Sequence, residues 1–409
     1  MTVGVPKQRT TLGMSAPRHH SISATCGDSR FVIAIFLGAG EKNDVNGREC
    51  RMSPGSMRRF LWHTHRPMPN LRLLILAPFA VWSVCQIGCS GGSPSTTVQQ
   101  APPSPPPVTA ALGGSNYGWY YLTASCNREP YGVVYNYNTA AATIDSQLQQ
   151  MYNSGQRRLR IPIYHARGIN SGTIMDSTGG TLAPQFLTNL ANLLAAIKAA
   201  GFVEIEVSFH PQSINNPLEW TTFSSDYFQE NWSVIQNVRS IVAAAGIPYH
   251  LDLMNEGIPP LSYPLLLQYD QMLWNAYVAK YGSADTMGFS IIADSAHLGQ
   301  VSAVYGPSAY GNHGSPQLFD VHIYDETGNS FATAFTSLTS QGYKGVPWII
   351  GEAYYNDAAE AAAQRAEIKS TGQQVLFLTQ WPHTSDLSCN NQVNVAPPAD
   401  FSKYAAQSF

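Results

Sequence analysis

Short apolar runs alternate with longer amphipathic segments from about residue 116 to the end of the chain, and this alternation restricts the fold most. Apolar runs that stop at turn residues are typical of buried parallel strands, and the longer segments have helical spacing. The runs number eight and recur roughly every thirty to fifty residues. Eight strand–helix units predict a single α/β domain, a (β/α)8 or TIM barrel. An open doubly wound sheet is the alternative, but no Gly-rich phosphate loop follows the first run.

The boundaries of these elements follow from the pattern. The predicted strands are Tyr117–Leu122, Arg158–Ile163, Glu204–Phe209, Tyr249–Leu253, Gly288–Ala293, Leu318–Ile323, Trp348–Ile350 and Gln374–Thr379. The clearest helical patterns are Pro184–Ala200, Tyr227–Ala245, Tyr263–Tyr281 and Ala358–Ser370. Glycines follow the helical patterns, as left-handed C-terminal caps require.

Polar residues stand at the carboxyl ends of the predicted strands, where barrel enzymes place their chemistry. Two runs end on a glutamate, Glu256 after Asn255 and Glu352 after Gly351. Two carboxyl groups are what cleavage of a glycosidic bond requires, so this pair predicts a glycosidase. The other polar or aromatic residues in or after the strands are Arg160, His210, His322, Tyr324 and Trp381.

These residues also resemble a known family in their order and spacing. The motifs Arg160-Ile161-Pro162, Asn255-Glu256, His322-x-Tyr324, Gly351-Glu352 and Trp381 resemble clan A of the glycoside hydrolases, and family 5 most nearly. The resemblance covers residues 116–382. Gly257 stands where family 5 often has proline, and Ser208 stands where aspartate is frequent, so family 39 is the alternative.

The resemblance implies a retaining mechanism with Glu256 as acid/base and Glu352 as nucleophile. Burial and mutual repulsion raise one carboxyl pKa of such a pair, and a neighbouring cation lowers the other. Arg160 is the expected counter-charge of Glu352, and Tyr324 the expected hydrogen-bond donor to it. Asn255 is expected to bind the sugar 2-hydroxyl and Trp381 the sugar face. His210 and His322 are expected to line the innermost sugar subsite.

Structural interpretations of the same residues stay open. A single strand-end glutamate can serve a helix start, the histidines and Trp381 can be core residues, and Arg160 can form a structural salt bridge. Two other functions also stay open. A glycan-binding lipoprotein that has lost catalysis is one, although both acids are intact. The other is a transglycosylase, which uses the same residues.

The amino-terminal part has a different composition. Residues 1–67 show no sustained period, and we expect a leader that is disordered or not translated. Residues 68–89 have the layout of a signal peptide, with Arg72 before the uncharged run Leu73–Gly88. Residues 90–112 are rich in Ser, Thr and Pro and predict an extended linker. The catalytic domain is then residues 113–409.

Cys89 ends a segment, Gln86-Ile87-Gly88-Cys89, that resembles a bacterial lipobox. It predicts lipidation at Cys89 and an exported protein tethered to the bacterial envelope by a lipid anchor. An ordinary signal peptide that releases a secreted protein, or an uncleaved anchor, is the alternative.

Cys126 and Cys389 are the cysteines of the predicted domain. They follow the first and the eighth strand, which are neighbours only if the barrel closes. A barrel therefore predicts a Cys126–Cys389 disulfide in an exported protein, with two reduced thiols as the alternative.

Charge and motifs bear on the remaining partners. Residues 1–67 hold ten Lys and Arg against four Asp and Glu, so the net charge of −3 leaves the remainder at about −9. An acidic domain without a basic cluster does not favour nucleic-acid binding. No His-Glu-x-x-His helix or other metal motif is evident, and we expect no metal or cofactor. The expected partner is a β-linked polysaccharide or oligosaccharide, bound by a monomer.

Overall fold

The computed structural model describes residues 112–123, 127–168, 171–383 and 395–409. The strands are β1 (Gly114–Asn116), β2 (Arg158–Ala166), β3 (Met175–Asp176), β4 (Glu204–Pro211), β5 (Tyr249–Asp252), β6 (Thr286–Gly288), β7 (Ile291–Ile292), β8 (Phe319–His322), β9 (Trp348–Glu352) and β10 (Val375–Gln380). The helices are α1 (Val133–Asn153), α2 (Pro184–Ala200), α3 (Ser225–Ala244), α4 (Pro264–Tyr281), α5 (Ser295–Leu298), α6 (Val301–Tyr305), α7 (Asn329–Ser340), α8 (Ala358–Thr371) and α9 (Ser402–Ala406).

The sheet is parallel and runs in the order β6, β5, β4, β2, β1, β10, β9, β8, β7, with β3 attached to β2. Its two end strands, β6 and β7, are consecutive in the chain and only Phe289 and Ser290 separate them. The chain therefore closes the ring through one broken strand. Eight strand positions with helices between them confirm the predicted barrel.

The first strand lies outside its predicted range. The sequence predicts Tyr117–Leu122, but the strand is Gly114–Asn116 and the predicted residues follow it. Gly114 explains the difference, because a Cβ there would lie 1.9 Å from the carbonyl oxygen of Arg158. β1 packs so closely against its neighbour that only glycine fits at this position. A strand without apolar side chains also lacks the apolar run by which strands are predicted from sequence.

Helix α2 shows how the sequence specifies the outer layer. Pro184 occupies its first turn, where a missing N–H costs nothing. Leu190, Leu193 and Ile197 are fully buried against the sheet. Gly201 ends the helix with φ 101°, and a Cβ there would meet the Tyr152 ring at 2.8 Å. The predicted range is confirmed because capping and periodicity agree.

Apolar and charged residues alternate along the barrel strands. Leu159, Ile161 and Ile163 of β2 pack in the main core, whereas Arg160 points to the opposite face. A smaller apolar cluster in the barrel interior consists of Met287, Leu318, Ile349 and Phe377. The carboxyl ends of the strands are thus left for the polar site.

Several predictions lie outside the described residues. They are the leader, the signal peptide with Cys89, nearly all of the linker, and both Cys126 and Cys389. Among the helices that the structure describes, none has the length and hydropathy to cross a membrane.

Candidate active site

Arg160 on β2 lies at the centre of the site and is fully buried. One terminal nitrogen donates to Glu352 Oε1 at 2.7 Å. The other donates to Asp252 Oδ2 at 2.7 Å and to Asn255 Oδ1 at 2.8 Å. Its Nε donates to Glu206. A planar guanidinium with this many acceptors has one orientation, so Arg160 fixes the carboxylates around it.

Glu352 is the last residue of β9 and is buried. Besides Arg160, it accepts a hydrogen bond from the Tyr324 hydroxyl to Oε2 at 2.6 Å. His322 Nδ1 lies 3.6 Å from the same oxygen. Donors from β2 and from the end of β8 therefore hold both oxygens of this carboxylate in place.

Glu256 lies in the loop after β5 and is the more accessible acid, with 35% of its side chain exposed. Its backbone has φ 50°, an unusual value for a residue other than glycine. Its N–H donates to Ser290 Oγ at 2.6 Å, and Ser290 lies in the break between β6 and β7. His322 Nδ1 lies 3.2 Å from Glu256 Oε1. The broken strand thus supports a strained turn that presents Glu256 to the site.

The two glutamates face each other across the barrel mouth. One oxygen of Glu256 and one of Glu352 lie within 4.8 Å of each other. Retaining glycosidases have carboxyl groups about 5–5.5 Å apart, whereas inverting enzymes need about 6.5–9.5 Å to admit a water molecule. A closest oxygen–oxygen approach within 4.8 Å favours the retaining arrangement.

The pKa values of the two glutamates shift in opposite directions. Burial raises the pKa of Glu352, and the charges of His322 and Arg160 offset only part of the rise. Burial also raises the pKa of Glu256, but the hydrogen bond and charge of His322 outweigh it and the net shift is downward. The sequence predicts that Arg160 makes Glu352 the more acidic residue. Arg160 does lower the pKa of Glu352, but burial outweighs it, and Arg160 is shared with Glu206, Asp252 and Asp320.

His322 on β8 lies between the acids. Its Nε2 lies 3.3 Å from Asp320 Oδ2, and its Nδ1 faces Glu256 and Glu352. Burial lowers the pKa of His322, but Glu352 and Asp320 raise it well above the ordinary value. A protonated His322 then donates from both ring nitrogens.

Aromatic residues form a wall beside the acids. Trp119 packs edge-on against Trp381 with ring centroids 5.7 Å apart and lies 5.3 Å from the Tyr164 ring. His383 stacks on Tyr324 at 5.1 Å. The Arg128 guanidinium lies over Trp119 at 4.4 Å. Trp119 belongs to this wall and not to a strand, since β1 ends three residues before it.

His210 ends β4 on the other side of the site. Its Nε2 lies 3.1 Å from Ser208 Oγ, and its ring packs 4.6 Å from Tyr164. Burial lowers the pKa of His210 well below the ordinary value, and the charges of Arg160 and His322 add to that shift. A neutral ring accepts or donates hydrogen bonds without adding charge to the site.

A cavity of about 440 Å³ opens beside Glu256. Glu352 and Trp381 do not line it, so it lies away from the aromatic wall. Its polar lining residues are His210, Gln212, Asn216, Asn255, Glu256 and His297, and its apolar lining includes Leu218, Met254 and Tyr263.

The sequence interpretation missed three buried acids below the site: Glu206 on β4, Asp252 on β5 and Asp320 on β8. All three are fully buried. A signal for them exists, because each charged residue interrupts an apolar strand, as Arg160 does. It placed Trp119 in the first strand, and it did not single out His297, which carries no comparable signal.

Two groups of residues have ligand atoms close enough to share an ion: Glu256, His322 and Glu352, and Glu206, Asp252 and Asp320. A metal needs a neutral imidazole, whereas the acids around His322 favour its protonated form. In the second group, the Arg160 guanidinium already lies 2.7 Å from Asp252 and 3.6 Å from Asp320.

Comparisons with known proteins give matches at the level of structure. No family model and no curated protein sequence matches the chain. Among solved structures, a β-mannanase from the blue mussel Mytilus edulis is similar, with 16% identity over 72% of this chain and 92% of its own and a TM-score of 0.46.

Two bacterial structures are similar to the same extent. A family 5 lichenase from Caldicellulosiruptor sp. F32 has 14% identity over 73% of this chain and 93% of its own, with a TM-score of 0.43. An endo-β-1,4-glucanase from Xanthomonas axonopodis pv. citri has 14% identity over 73% of this chain and 98% of its own, with a TM-score of 0.46. The first of these is described as a member of glycoside hydrolase family 5.

Proposed function

We propose that this protein is a retaining glycoside hydrolase that cleaves β-linked polysaccharides or oligosaccharides by double displacement. Glu352 is the nucleophile and Glu256 the acid/base. One observation carries the proposal. One oxygen of each carboxyl group lies within 4.8 Å of the other at the carboxyl ends of β5 and β9, and Arg160 and Tyr324 hold both oxygens of Glu352.

In the first step, an oxygen of Glu352 bonds to the anomeric carbon, and the bond from that carbon to the glycosidic oxygen breaks. The leaving oxygen takes a proton from Glu256. Glu352 needs little reorientation because its donors already fix it. His322 Nδ1 lies 3.2 Å from Glu256 and supplies the proton that its ionised carboxylate lacks.

In the second step, Glu256 takes a proton from a water molecule, whose oxygen bonds to the anomeric carbon and releases the Glu352 carboxylate. A base with a lowered pKa is ionised when this step begins, and His322 lowers the pKa of Glu256. The lowered pKa of Glu256 thus suits the second step. The proton that Glu256 takes from water then returns to His322, which supplied the proton of the first step.

The two sides of the catalytic pair suit a chain that extends in both directions. The sugar that bonds to Glu352 has the Trp381 and Trp119 wall beside it, and flat apolar faces suit sugar rings. The leaving part of the chain lies on the side of Glu256, where the cavity of about 440 Å³ opens. Space on both sides supports cleavage within a chain.

The envelope tether is a separate part of the proposal. It rests on the signal-peptide layout and on Cys89 at the lipobox-like segment. Mass spectrometry of the membrane fraction should find a lipid on Cys89 at a new amino terminus. An unmodified, soluble product that begins elsewhere would contradict the tether and leave the glycosidase proposal intact.

The experiment for the activity compares the wild-type protein with Glu352→Ala and Glu256→Ala on a panel of β-linked polysaccharides. We expect each variant to lose at least about 10³-fold in kcat, the scale of covalent and acid–base catalysis. Glu326→Ala is the matched control, because this exposed glutamate lies in the loop after β8. It should keep wild-type activity.

Added azide separates the roles. With an activated aryl glycoside, Glu256→Ala should recover turnover and release a β-glycosyl azide, because azide replaces water on the same face of the intermediate. Glu352→Ala forms no such intermediate and should release no β-glycosyl azide. Glycan binding without turnover, unchanged in both variants, would show that the barrel is a receptor and would overturn the proposal.

A further inference from the structure

Two buried carboxyl groups below His322 each have one oxygen without a hydrogen-bond donor. Glu206 Oε2 and Asp320 Oδ1 are buried atoms with no partner among the described residues. The other oxygen of each residue has a hydrogen-bond donor. Glu206 Oε1 accepts from Arg160 Nε, and Asp320 Oδ2 faces His322 Nε2. The two side chains bring one oxygen each to within 4.8 Å.

Two unpaired carboxylate oxygens at this depth are costly, and a single proton between them satisfies both. Glu206 is the residue that carries it. Burial raises the pKa of Glu206 well above the ordinary value, and the charge of Asp320 adds to the rise. Burial also raises the pKa of Asp320, but the charges of His322 and Arg160 bring it below the ordinary value.

Asp320 connects this pair to the catalytic acid. His322 Nε2 lies 3.3 Å from Asp320, and on the opposite side of the ring Nδ1 lies 3.2 Å from Glu256. A side chain on Gly351 would exclude this arrangement, because a Cβ there would lie 2.1 Å from Asp320 Oδ1. The sequence thus leaves room for the Asp320 carboxylate next to the nucleophile strand.

We infer that Glu206 and Asp320 share a buried proton, and that Asp320 held in this way keeps His322 as an imidazolium that supplies the proton of Glu256. Glu206 and Asp320 are then positioning residues that act through His322. The part that concerns Glu256 rests on the proposed function, whereas the protonation of His322 does not.

Charged groups on five strands and the loop after β5 act on His322. The nearest acids are Asp320, Glu256 and Glu352, at 3.3, 3.2 and 3.6 Å. Arg160 opposes its charge and Asp252 favours it, whereas the neutral ring of His210 on β4 would oppose it only when protonated. Three close acids outnumber the one permanent cation, which Asp252 and Glu206 also share.

The experiment is an NMR titration of the imidazole nitrogens in histidine-labelled protein, with a His322→Gln variant to identify the signals. In the wild type, we expect both ring nitrogens of His322 to stay protonated from pH 6 to about 8. In Asp320→Asn, the imidazole should titrate at least about 2 pH units lower, because it loses an adjacent anion. Titration of wild-type His322 near its ordinary value of about 6.5 would overturn the inference.

Glu206→Gln is the matched variant. Its amide has the charge of a protonated carboxyl, can accept from Arg160 and can donate to Asp320, so the His322 titration should stay within about 0.5 pH unit of wild type. A shift as large as that of Asp320→Asn would show that Glu206 is ionised in the native protein, and the shared proton would be wrong.

A kinetic measurement tests the link to Glu256. The proton that reaches the leaving oxygen is held by His322 in the free enzyme, so the basic limb of kcat/KM follows the loss of that proton. In Asp320→Asn, the basic limb should therefore move down together with the His322 titration, by at least about 1 pH unit. An unchanged limb in an active variant would overturn the link. If no glycan is turned over by the wild type, the proposed function fails, while the His322 titration still decides the shared proton.

Discussion

At the scale of single residues, the site depends on donors that face a few carboxylates. Tyr324 is the simplest case, because its hydroxyl reaches Glu352 Oε2 at 2.6 Å while its ring packs on His383. Tyr324→Phe keeps the ring and removes one hydrogen bond to a charged group, worth about 1.5–3 kcal/mol. We expect kcat/KM to fall about 10- to 150-fold with an unchanged melting temperature. Tyr310→Phe, at an exposed tyrosine, is the control.

Glu360 is a second residue whose oxygens are fully used. Its Oε1 accepts from the Asp325 backbone N–H at 3.0 Å, and its Oε2 accepts from the Tyr354 backbone N–H at 2.7 Å. The Gln364 amide also donates to Oε1, and the Tyr404 hydroxyl also donates to Oε2. The side chain therefore ties the loop after Tyr324 to the loop after Glu352.

Glu360→Gln turns one acceptor into a donor that faces a buried backbone N–H, which costs about 1–3 kcal/mol. We expect a lower midpoint in urea unfolding and, because the Tyr324 loop loosens, a lower kcat. The same substitution at Glu367, a less buried residue of the same helix, should leave both unchanged. Equal effects at the two positions would argue against the four-donor arrangement.

At the scale of elements, the sequence predicts the helices and strands whose boundaries follow from a local pattern. It misses those whose boundaries depend on contacts with neighbouring strands. Helix α2 is predicted to the residue because Pro184, the buried leucines and Gly201 all agree. Strand β1 is misplaced because Gly113 and Gly114 show no apolar pattern, and their role is visible only against the neighbouring strands. The split of the fifth barrel strand into β6 and β7 is missed for a similar reason, since Ser290 in the break acts on Asp252 and Glu256.

The close approach at β1 gives a prediction for stability. Gly114→Ala places a Cβ 1.9 Å from the Arg158 carbonyl oxygen, and both groups belong to the backbone of paired strands. Relief requires β1 to move from β2, so we expect a loss of about 3 kcal/mol or more in the free energy of unfolding. Gly299→Ala is the control, because its nearest neighbour lies at 3.2 Å and its φ is −65°. A Gly114→Ala protein as stable as the control would contradict the tight closure.

At the scale of the whole molecule, the barrel explains why strand-end residues could be predicted to meet while their charges could not. Parallel strands bring their carboxyl ends together, so Arg160, Glu256, His322 and Glu352 converge although they are far apart in sequence. The number of acids around Arg160 depends on which inward positions of β4, β5 and β8 carry a carboxylate. A pattern restricted to strand ends does not include those positions.

Buried acids also give the whole molecule a dependence on pH. Burial raises the pKa values of Glu206, Asp252 and Asp270, so the folded state binds protons that the unfolded state has released above pH 4 to 5. The stability that these groups contribute is present below that range and is lost as pH rises. Above pH 6.5 the raised pKa of His322 acts in the same direction. We expect the melting temperature to fall between pH 6.5 and 9.

Asp270 on α4 isolates this effect from catalysis, because it is fully buried and neither of its oxygens has a partner among the described residues. Asp270→Asn removes a group that must stay protonated in the folded protein. In the variant, the free energy of unfolding should therefore fall less steeply with pH, by up to about 1.4 kcal/mol per pH unit, which corresponds to one proton. The variant should gain stability relative to wild type as pH rises.

Urea unfolding at pH 5, 6.5 and 8 measures the slope of the free energy of unfolding against pH. Asp226→Asn, an exposed acid on α3, should keep the wild-type slope. Parallel slopes for Asp270→Asn and wild type would show that Asp270 is ionised in the folded protein. The fall in melting temperature above pH 6.5 would then depend on Glu206, Asp252 and His322 alone.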